Sequence, residues 1–372
     1  MLRHTYAVIH LPAMLKNIRY AKRRLKPETK FLAVIKSNAY GHGIVQCGRY
    51  LEKSGLVDML AVAIPEEGMR LREHGVTLPI LILGVTDPDH VTAIVANDLT
   101  PAVFTPEQVR AFERCAKAAG RDAHVHLKLD TGMHRIGVMN DEELDAVLDA
   151  FCECPHVHMT GAFTHFAKSE SDPDFTELQA ARFNAFVEKI HARGFTPTLH
   201  VANSGATLDF PDLQYDMVRF GISLYGYHPD PKRSSTVGLS PVMSLITHIS
   251  YLKALPAGEG VSYGLKYTTS RPTRIATLPI GYGDGYKRCL TGKADVLVGG
   301  IRCPQVGTIC MDQMMIDVSE VPSVAIGDEV VLIGRQGSAR ITADEIAEKA
   351  GTISYEILLS ISDRVPRVYE EE

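Results

Sequence analysis

An α/β chain, with an N-terminal (β/α)8 barrel of TIM type and a smaller, mainly β C-terminal domain, is what this sequence predicts. Three observations carry that expectation. Eight short apolar runs recur through about the first 225 residues, amphipathic helical patterns fill most of the gaps, and a strand-rich pattern follows a linker at 228–241. Regular alternation of this kind favours a closed barrel over an open, doubly wound sheet.

The runs are FLAVIK (31–36), DMLAVA (58–63), PILILG (79–84), TPAVF (100–104), HVHLKLD (124–130), HMTGAFTH (158–165), TLHVAN (198–203) and YDMVRFGI (215–222). The clearest helix between them is DFTELQAARFNAFVEKIHARG. Phe175, Leu178, Phe183, Phe186, Val187 and Ile190 recur there at helical spacing, and Gly194 marks the stop. The Pro-, Ser- and charge-rich stretch HPDPKRSSTVGLSP places a boundary between a barrel domain at 1–233 and a β domain at 234–372. Beyond it come MSLITHISYL, RIATLPIGY, ADVLVGGIRCPQVGTI with Gly299 and Gly300 at a hairpin turn, and MMIDV. TADE (342–345) has the form of a capping box opening one short helix. The N-terminal run HTYAVIH (4–10) precedes the first barrel helix and is a candidate to pair with the second domain.

Composition narrows the function. A net charge of -5 and a pI near 6.3 argue against a nucleic-acid surface, and Lys22, Arg23 and Arg24 read as a solvated helix face. No apolar stretch reaches the roughly 18 residues of a membrane span, and the first ten residues are too short and polar for a signal peptide, so a cytoplasmic location is expected. The seven cysteines lack C-x-x-C spacing and are expected to be reduced. Two His-Val-His triplets, 124–126 and 156–158, have no adjacent carboxylate or thiol to complete a metal site, so a structural role is expected and no metal.

In a barrel, chemistry collects where strands end. Those ends supply Lys36, Asp130 followed by Arg135, His165, Asn203 with Ser204, and Arg219 followed by Gly221. Lys36 ends an apolar run and opens the glycine-containing loop SNAYGHG, the setting a Schiff-base lysine requires. In HVHLKLD the even positions share one face and the odd, apolar ones the other, so Lys128 should point inward, beside Arg135. Two close, desolvated cations repel, and carbamylation of Lys128 by carbon dioxide would invert one charge; a neutral or chloride-paired lysine is the alternative.

KSNAYGHG, LKLDTGMHRIG, THFA, HVANSGA, VRFGISLYG, VSYGLKY, PIGYGDGY, VGTICMDQMMIDV and SYEILLSISDRVPRVY together resemble the bacterial alanine racemases, pyridoxal-phosphate enzymes of barrel type. The resemblance spans about residues 31–369. It implies that Lys36 holds pyridoxal 5'-phosphate as an internal aldimine and acts as one of two proton-transfer bases. Tyr263, contributed by the other subunit of a homodimer, would be the second, with His165 and Arg219 as its relay. Arg219 would face the pyridine nitrogen, and a guanidinium, which does not give up its proton, would leave that nitrogen unprotonated and the electron sink weak.

The resemblance further implies phosphate binding by Gly221, Ile222, Ser204, Tyr40 and Tyr355. Arg135 and the Met311 amide would take the substrate carboxylate. Tyr282 would line the entrance with support from Asp312. The implied activity interconverts L- and D-alanine for peptidoglycan. Racemases of serine, lysine or broader specificity share almost every motif. A barrel-type decarboxylase is disfavoured by Arg219, and a non-catalytic pyridoxal-phosphate carrier by the second domain and Tyr263.

Overall fold

In the computed structural model, which describes residues 4–234 and 236–371, the chain divides into two units. Residues 15–39 and 43–239 form one; residues 4–14, 40–42 and 240–371 form the other.

β1 (Tyr6–His10) belongs to the second unit. The first carries β2 (Lys30–Val34), β3 (Met59–Val62), β4 (Ile80–Ile82), β5 (Thr100–Val103), β6 (Ala123–Lys128), β7 (Val157–Phe163), β8 (Thr198–His200) and β9 (Met217–Phe220). Each of the eight predicted runs overlaps one of these strands. Their ladders are all parallel, in the order β8-β7-β6-β5-β4-β3-β2-β9. Two backbone bonds, from Asp216 N–H to Leu199 O (3.0 Å) and from Arg219 N–H to Ala202 O (2.9 Å), join β9 to the end of β8, so the barrel is nearly closed. All seven connections between these eight strands carry helix, and most of the strands are buried on both faces.

The long helix Pro173–Ala192 buries Phe183, Phe186, Val187 and Ile190 as expected, but Leu178 is exposed. The inner positions near its start go instead to Thr176 and Gln179. Gln179 earns burial by bonding: its amide donates to Thr131 Oγ1 (3.3 Å) and His165 O (3.1 Å) and accepts from Ala167 N–H (2.8 Å), tying two strand-end loops to one helix. Between β6 and β7 the register slips: Val125 faces Met159, but His126 faces Gly161, leaving Thr160 as an extra residue in β7.

The second unit is built on a sheet of β10 (Met243–His248), β11 (Tyr251–Leu255), β14 (Thr273–Leu278), β15 (Asp295–Val298), β16 (Ile301–Val306), β17 (Met314–Asp317), β18 (Glu329–Gln336), β19 (Ala339–Ile341) and β20 (Arg367–Glu370), with β12 (Gly260–Val261) and β13 (Tyr267–Thr268) as a separate ribbon. β1 joins this sheet, antiparallel to β10 and parallel to β20. Gly299 and Gly300, at φ 57° and 80°, make the two-residue turn between β15 and β16 that only positive φ at both positions permits. Thr342 caps the helix Ala343–Ala350 by accepting from Glu345 N–H (3.1 Å), while the Glu345 carboxylate bonds Arg302 and so leaves the capping box half made. A second helix, Ser354–Ser360, follows, which the sequence pattern did not predict. Among the described residues no helix is long and apolar enough to cross a membrane, and all seven cysteines are free thiols.

Candidate active site

Lys36 lies just beyond the C-terminal end of β2 and is half-buried. Burial, then the charge of Arg135, lowers its proton affinity, and Glu67 partly opposes them. The residues after it do not form the open glycine loop expected. Ser37, Asn38 and Ala39 take φ/ψ values of 53°/56°, 53°/43° and 54°/51°, a left-handed turn without a glycine. Such a conformation costs roughly 1–2 kcal/mol per residue and seldom extends past one.

Arg219, on β9, is 3% exposed and sits in a cage of acceptors. Nη1 donates to His200 O (2.7 Å) and approaches His200 Nδ1 (3.3 Å). Nη2 donates to Thr164 O (2.7 Å) and Val201 O (3.0 Å) and approaches His165 Nδ1 (3.2 Å). Burial, then Arg135, pushes its pKa down to about 9, which still leaves a cation at neutral pH. Because a guanidinium only donates, both facing Nδ1 atoms must accept, so His165 and His200 carry their protons on Nε2. His200 Nε2 then donates to His126 Nδ1 at 3.0 Å, and the same logic puts the His126 proton on Nε2. Burial first, then Arg219, drives His126 to about 3; His165 and His200 also fall well below an ordinary imidazole. His126 thus ends a buried chain of neutral imidazoles on one cation. Its ring lies over Gly161, where a Cβ would come within 2.6 Å of three ring atoms.

The first His-Val-His triplet therefore splits, His124 outside and His126 within. In the second, Asp122 binds His156 Nδ1 and His158 Nε2, each at 3.2 Å, so a carboxylate the sequence pattern did not place is present. Among the described residues no group of three or more ligands could hold a metal ion.

Lys128 is buried, as its face predicts, but Arg135 is exposed and the two are not paired. Lys128 Nζ instead donates to Leu129 O (2.5 Å) and lies 5.5 Å from the Phe163 ring centroid. Burial, against the attraction of Asp130 and with the repulsion of Arg219 and Arg135, brings its pKa to about 7. Asp130 builds the loop rather than facing a ligand: Oδ1 accepts from the amides of Gly132, Met133 and His134 and Oδ2 from Arg135 N–H, at 2.9–3.0 Å. Asn203 likewise caps the helix Ser204–Asp209. Ser204 Oγ accepts from Gly221 N–H (2.9 Å), leaving its own hydrogen to donate. Ile222 opens the next turn, where an N–H has no intrahelical acceptor.

The second unit holds the remaining candidates. Tyr40 is buried against Tyr355, with ring centroids 6.0 Å apart, and burial raises its phenol well above the usual range, so it remains a donor. Tyr263 is 72% exposed; its carbonyl accepts from Thr308 Oγ1 (2.7 Å). Met311 is 53% exposed, and Tyr282 is exposed as well. The GYGDG segment is not a slack loop. Tyr282 N–H donates to Cys310 O (3.1 Å) and Gly283 N–H to Met311 O (2.9 Å), and a Cβ on Gly281 would lie 2.2 Å from Cys310 O. Arg364 spans this pair of segments, bonding Asp312 (2.7 Å) and approaching buried Asp284 (3.4 Å). Sequence reasoning missed Arg364, His126, His200 and Glu67; the motif DRVPR held Arg364, but nothing local marked its partners.

The alanine racemase N-terminal domain model matches residues 9–229 and the alanine racemase C-terminal domain model matches residues 242–369. The chain is 44% identical to the alanine racemase of Symbiobacterium thermophilum, over all of this chain and 98% of that one, and 44% identical to that of Desulfovibrio desulfuricans, over 99% of each. The solved alanine racemase of Clostridium difficile superposes with a TM-score of 0.93 at 40% identity, over 100% of this chain and 96% of that one. That of Bacillus anthracis, solved with bound L-Ala-P, gives 0.94 at 36%, over 100% and 96%. Two domain models in order, full-length relatives and the same barrel with a mainly β partner agree: the chain belongs to the alanine racemase family.

Proposed function

We propose that this enzyme racemises alanine with pyridoxal phosphate on Lys36, using Lys36 and Tyr263 as its two bases. Arg219 carries the reading. Its terminal nitrogens carry four N–H bonds and face five acceptors, while among the described residues no acceptor meets its Nε–H. An unprotonated ring nitrogen suits that donor. The other donors of the barrel fit the same group: a lysine of lowered proton affinity, and the Ser204 hydroxyl with the amides of Gly221 and Ile222 for a phosphate dianion; the phenols of Tyr40 and Tyr355 are assigned to the phosphate by the resemblance alone. When bound, pyridoxal phosphate supplies a place for the electron pair left when the substrate Cα loses its proton.

Burial and Arg135 disfavour the Lys36 ammonium, which makes its neutral amine, able to bond a carbonyl carbon or take the Cα proton, easier to reach. Arg219, held as a donor, keeps the electron sink weak and favours prompt return of a proton over loss of carbon dioxide. His165 accepts from Arg219 at Nδ1, so its Nε2–H is left to stabilise a phenolate. Arg135 and the Met311 amide take the substrate carboxylate, and Tyr282, with Asp312 behind it, lines the entrance.

The exposure of Tyr263 supports a shared site. A base open to bulk water exchanges its proton before returning it, and a second copy that covers it solves this. The working unit is therefore a homodimer in which the partner subunit's Tyr263 and the partner subunit's Met311 complete each site. Lys128, at about 7, keeps enough neutral amine to add carbon dioxide, with loss of one proton, and the resulting carbamate would give Arg135 an anion. The free thiols fit work in a reducing cytoplasm, supplying D-alanine for peptidoglycan.

A chiral assay of the purified holoenzyme with L-alanine and L-serine tests the reading. D-alanine should accumulate several-fold faster than D-serine; equal rates would point to a broad-specificity racemase, and release of carbon dioxide would overturn racemisation.

A further inference from the structure

The left-handed turn after Lys36 is held largely by one side chain from elsewhere in the barrel. Glu67 is the third residue of the helix Pro65–Glu73, where a carboxylate interacts favourably with the helix N-terminus. Its Oε1 accepts from Ser37 N–H at 2.5 Å and, more weakly, from Asn38 N–H at 3.4 Å. Its Oε2 accepts from Ala63 N–H at 2.8 Å. One carboxylate therefore joins two neighbouring strand-end segments, the one after β2 and the one after β3. Further bonds close the turn from inside: Ala39 N–H to Ile35 O, and Gly43 N–H to Asn38 O, both 2.9 Å. Asn38 Oδ1 also takes Ile44 N–H at 2.9 Å.

Four consecutive L-residues, Ser37 to Tyr40, take positive φ, a conformation that persists only where its surroundings over-determine it. Asn38 tolerates it better than most L-residues, but Ser37 and Ala39 do not favour it. The amides that a right-handed turn would direct elsewhere point instead at a fixed anion. Lys36 is the residue immediately before, so whatever sets the direction of this turn sets where the lysine side chain leaves the barrel. Resting on the reading of Lys36 as the cofactor lysine, we infer that Glu67 is a positioning residue for it: its carboxylate locks the left-handed turn to the next βα segment and fixes the direction of the amine.

A second effect accompanies the first. Arg135 disfavours a cation at Lys36 and Glu67 favours one, while His165 also feels the lysine's charge. Removing the Glu67 charge should therefore ease deprotonation of Lys36. This shift follows from the charge alone, and the locking of the turn is read separately, by amide exchange.

The test compares wild type with Glu67→Gln, Glu67→Asp and Glu67→Ala holoenzymes. Two measurements are made on each: amide hydrogen exchange at Ser37, Asn38 and Ala39, and the pH midpoint of the visible absorption of the lysine-bound cofactor. Glu67→Gln keeps the shape but removes the charge and turns an N–H2 group towards either Ala63 or Ser37. Exchange in the turn should rise at least about tenfold, with exchange in β5 and β6 unchanged, and the midpoint should move to lower pH. Glu67→Asp should retain the midpoint better than Glu67→Gln does. Wild-type exchange and midpoint in Glu67→Gln would overturn the inference; should Glu67→Ala fail to fold, Glu67→Gln still decides. Borohydride reduction of wild type is the separate check on the underlying reading: cofactor mass on a lysine other than Lys36 overturns that reading, whereas mass on Lys36 with unchanged variants overturns the role of Glu67 alone.

Discussion

Nε2 of His200 lies 3.0 Å from Nδ1 of His126, and the only assignment of protons compatible with Arg219 on the other side makes the first the donor and the second the acceptor. The proton positions of three histidines are thus set by one guanidinium.

Histidine nitrogen NMR of the holoenzyme should show Nδ1 unprotonated at His126, His165 and His200. None of the three should titrate between about pH 6 and 8, because burial and Arg219 depress all of them. A protonated Nδ1 on His126 would break the chain of inference back to Arg219.

The same depression makes stability depend on pH. His126 is held neutral down to about 3, whereas its unfolded pKa is near 6.5. Its neutral-state contribution is present above about 6.5 and is lost as pH falls below it, because the unfolded chain then binds the extra proton. Between these values the slope per buried histidine is up to about 1.4 kcal/mol per pH unit. Urea unfolding across this range should show stability falling with acidity, and His126→Gln should flatten the slope.

Gly161→Ala puts a methyl group into the His126 ring. It should cost about 1–3 kcal/mol in urea unfolding, as overpacking does. A neutral effect would mean that the bulge at Thr160 relaxes freely.

Mixing Lys36→Ala and Tyr263→Phe variants, each inactive, under conditions of subunit exchange should restore one site per heterodimer. Proven exchange without activity would rule out the shared site.

Arg364→Met removes the group that bonds Asp312 and approaches Asp284, on either side of the Met311 and Gly283 backbones. KM for alanine should rise roughly tenfold with a smaller change in kcat, the pattern expected when a substrate-binding amide is misplaced rather than a base lost. An equal fall in kcat alone would assign Arg364 elsewhere.

The barrel was legible because its strands are short apolar runs with helical patterns between them, a signal carried by every residue of FLAVIK or PILILG. The inward direction of Lys128 followed from simple alternation, yet its distance from Arg135 did not, since Asp130 folds that loop with four backbone bonds that alternation cannot reveal. Asn38 alone hints at a left-handed residue, and nothing in Ser37 or Ala39 extends it to a turn, because the cause, Glu67, lies 30 residues further on. His126 looked structural because its partner is 74 residues away. Leu178 shows the converse: a helical stripe was right in period, but buried hydrogen-bonding by Gln179 took the inner position.

The join between β8 and β9 has a bearing on how the protein is made. Arg219 N–H forms one of its two backbone bonds, while β2, the other neighbour of β9, leaves the ribosome long before it; Tyr225 Oη reaches back 191 residues to Val34 O. Contacts of such sequence separation are slow to form. The pairing of β9 with β2 has to wait for Arg219 to be made, so a nascent chain exposes its lysine well before it owns the guanidinium that governs what that lysine's cofactor can do.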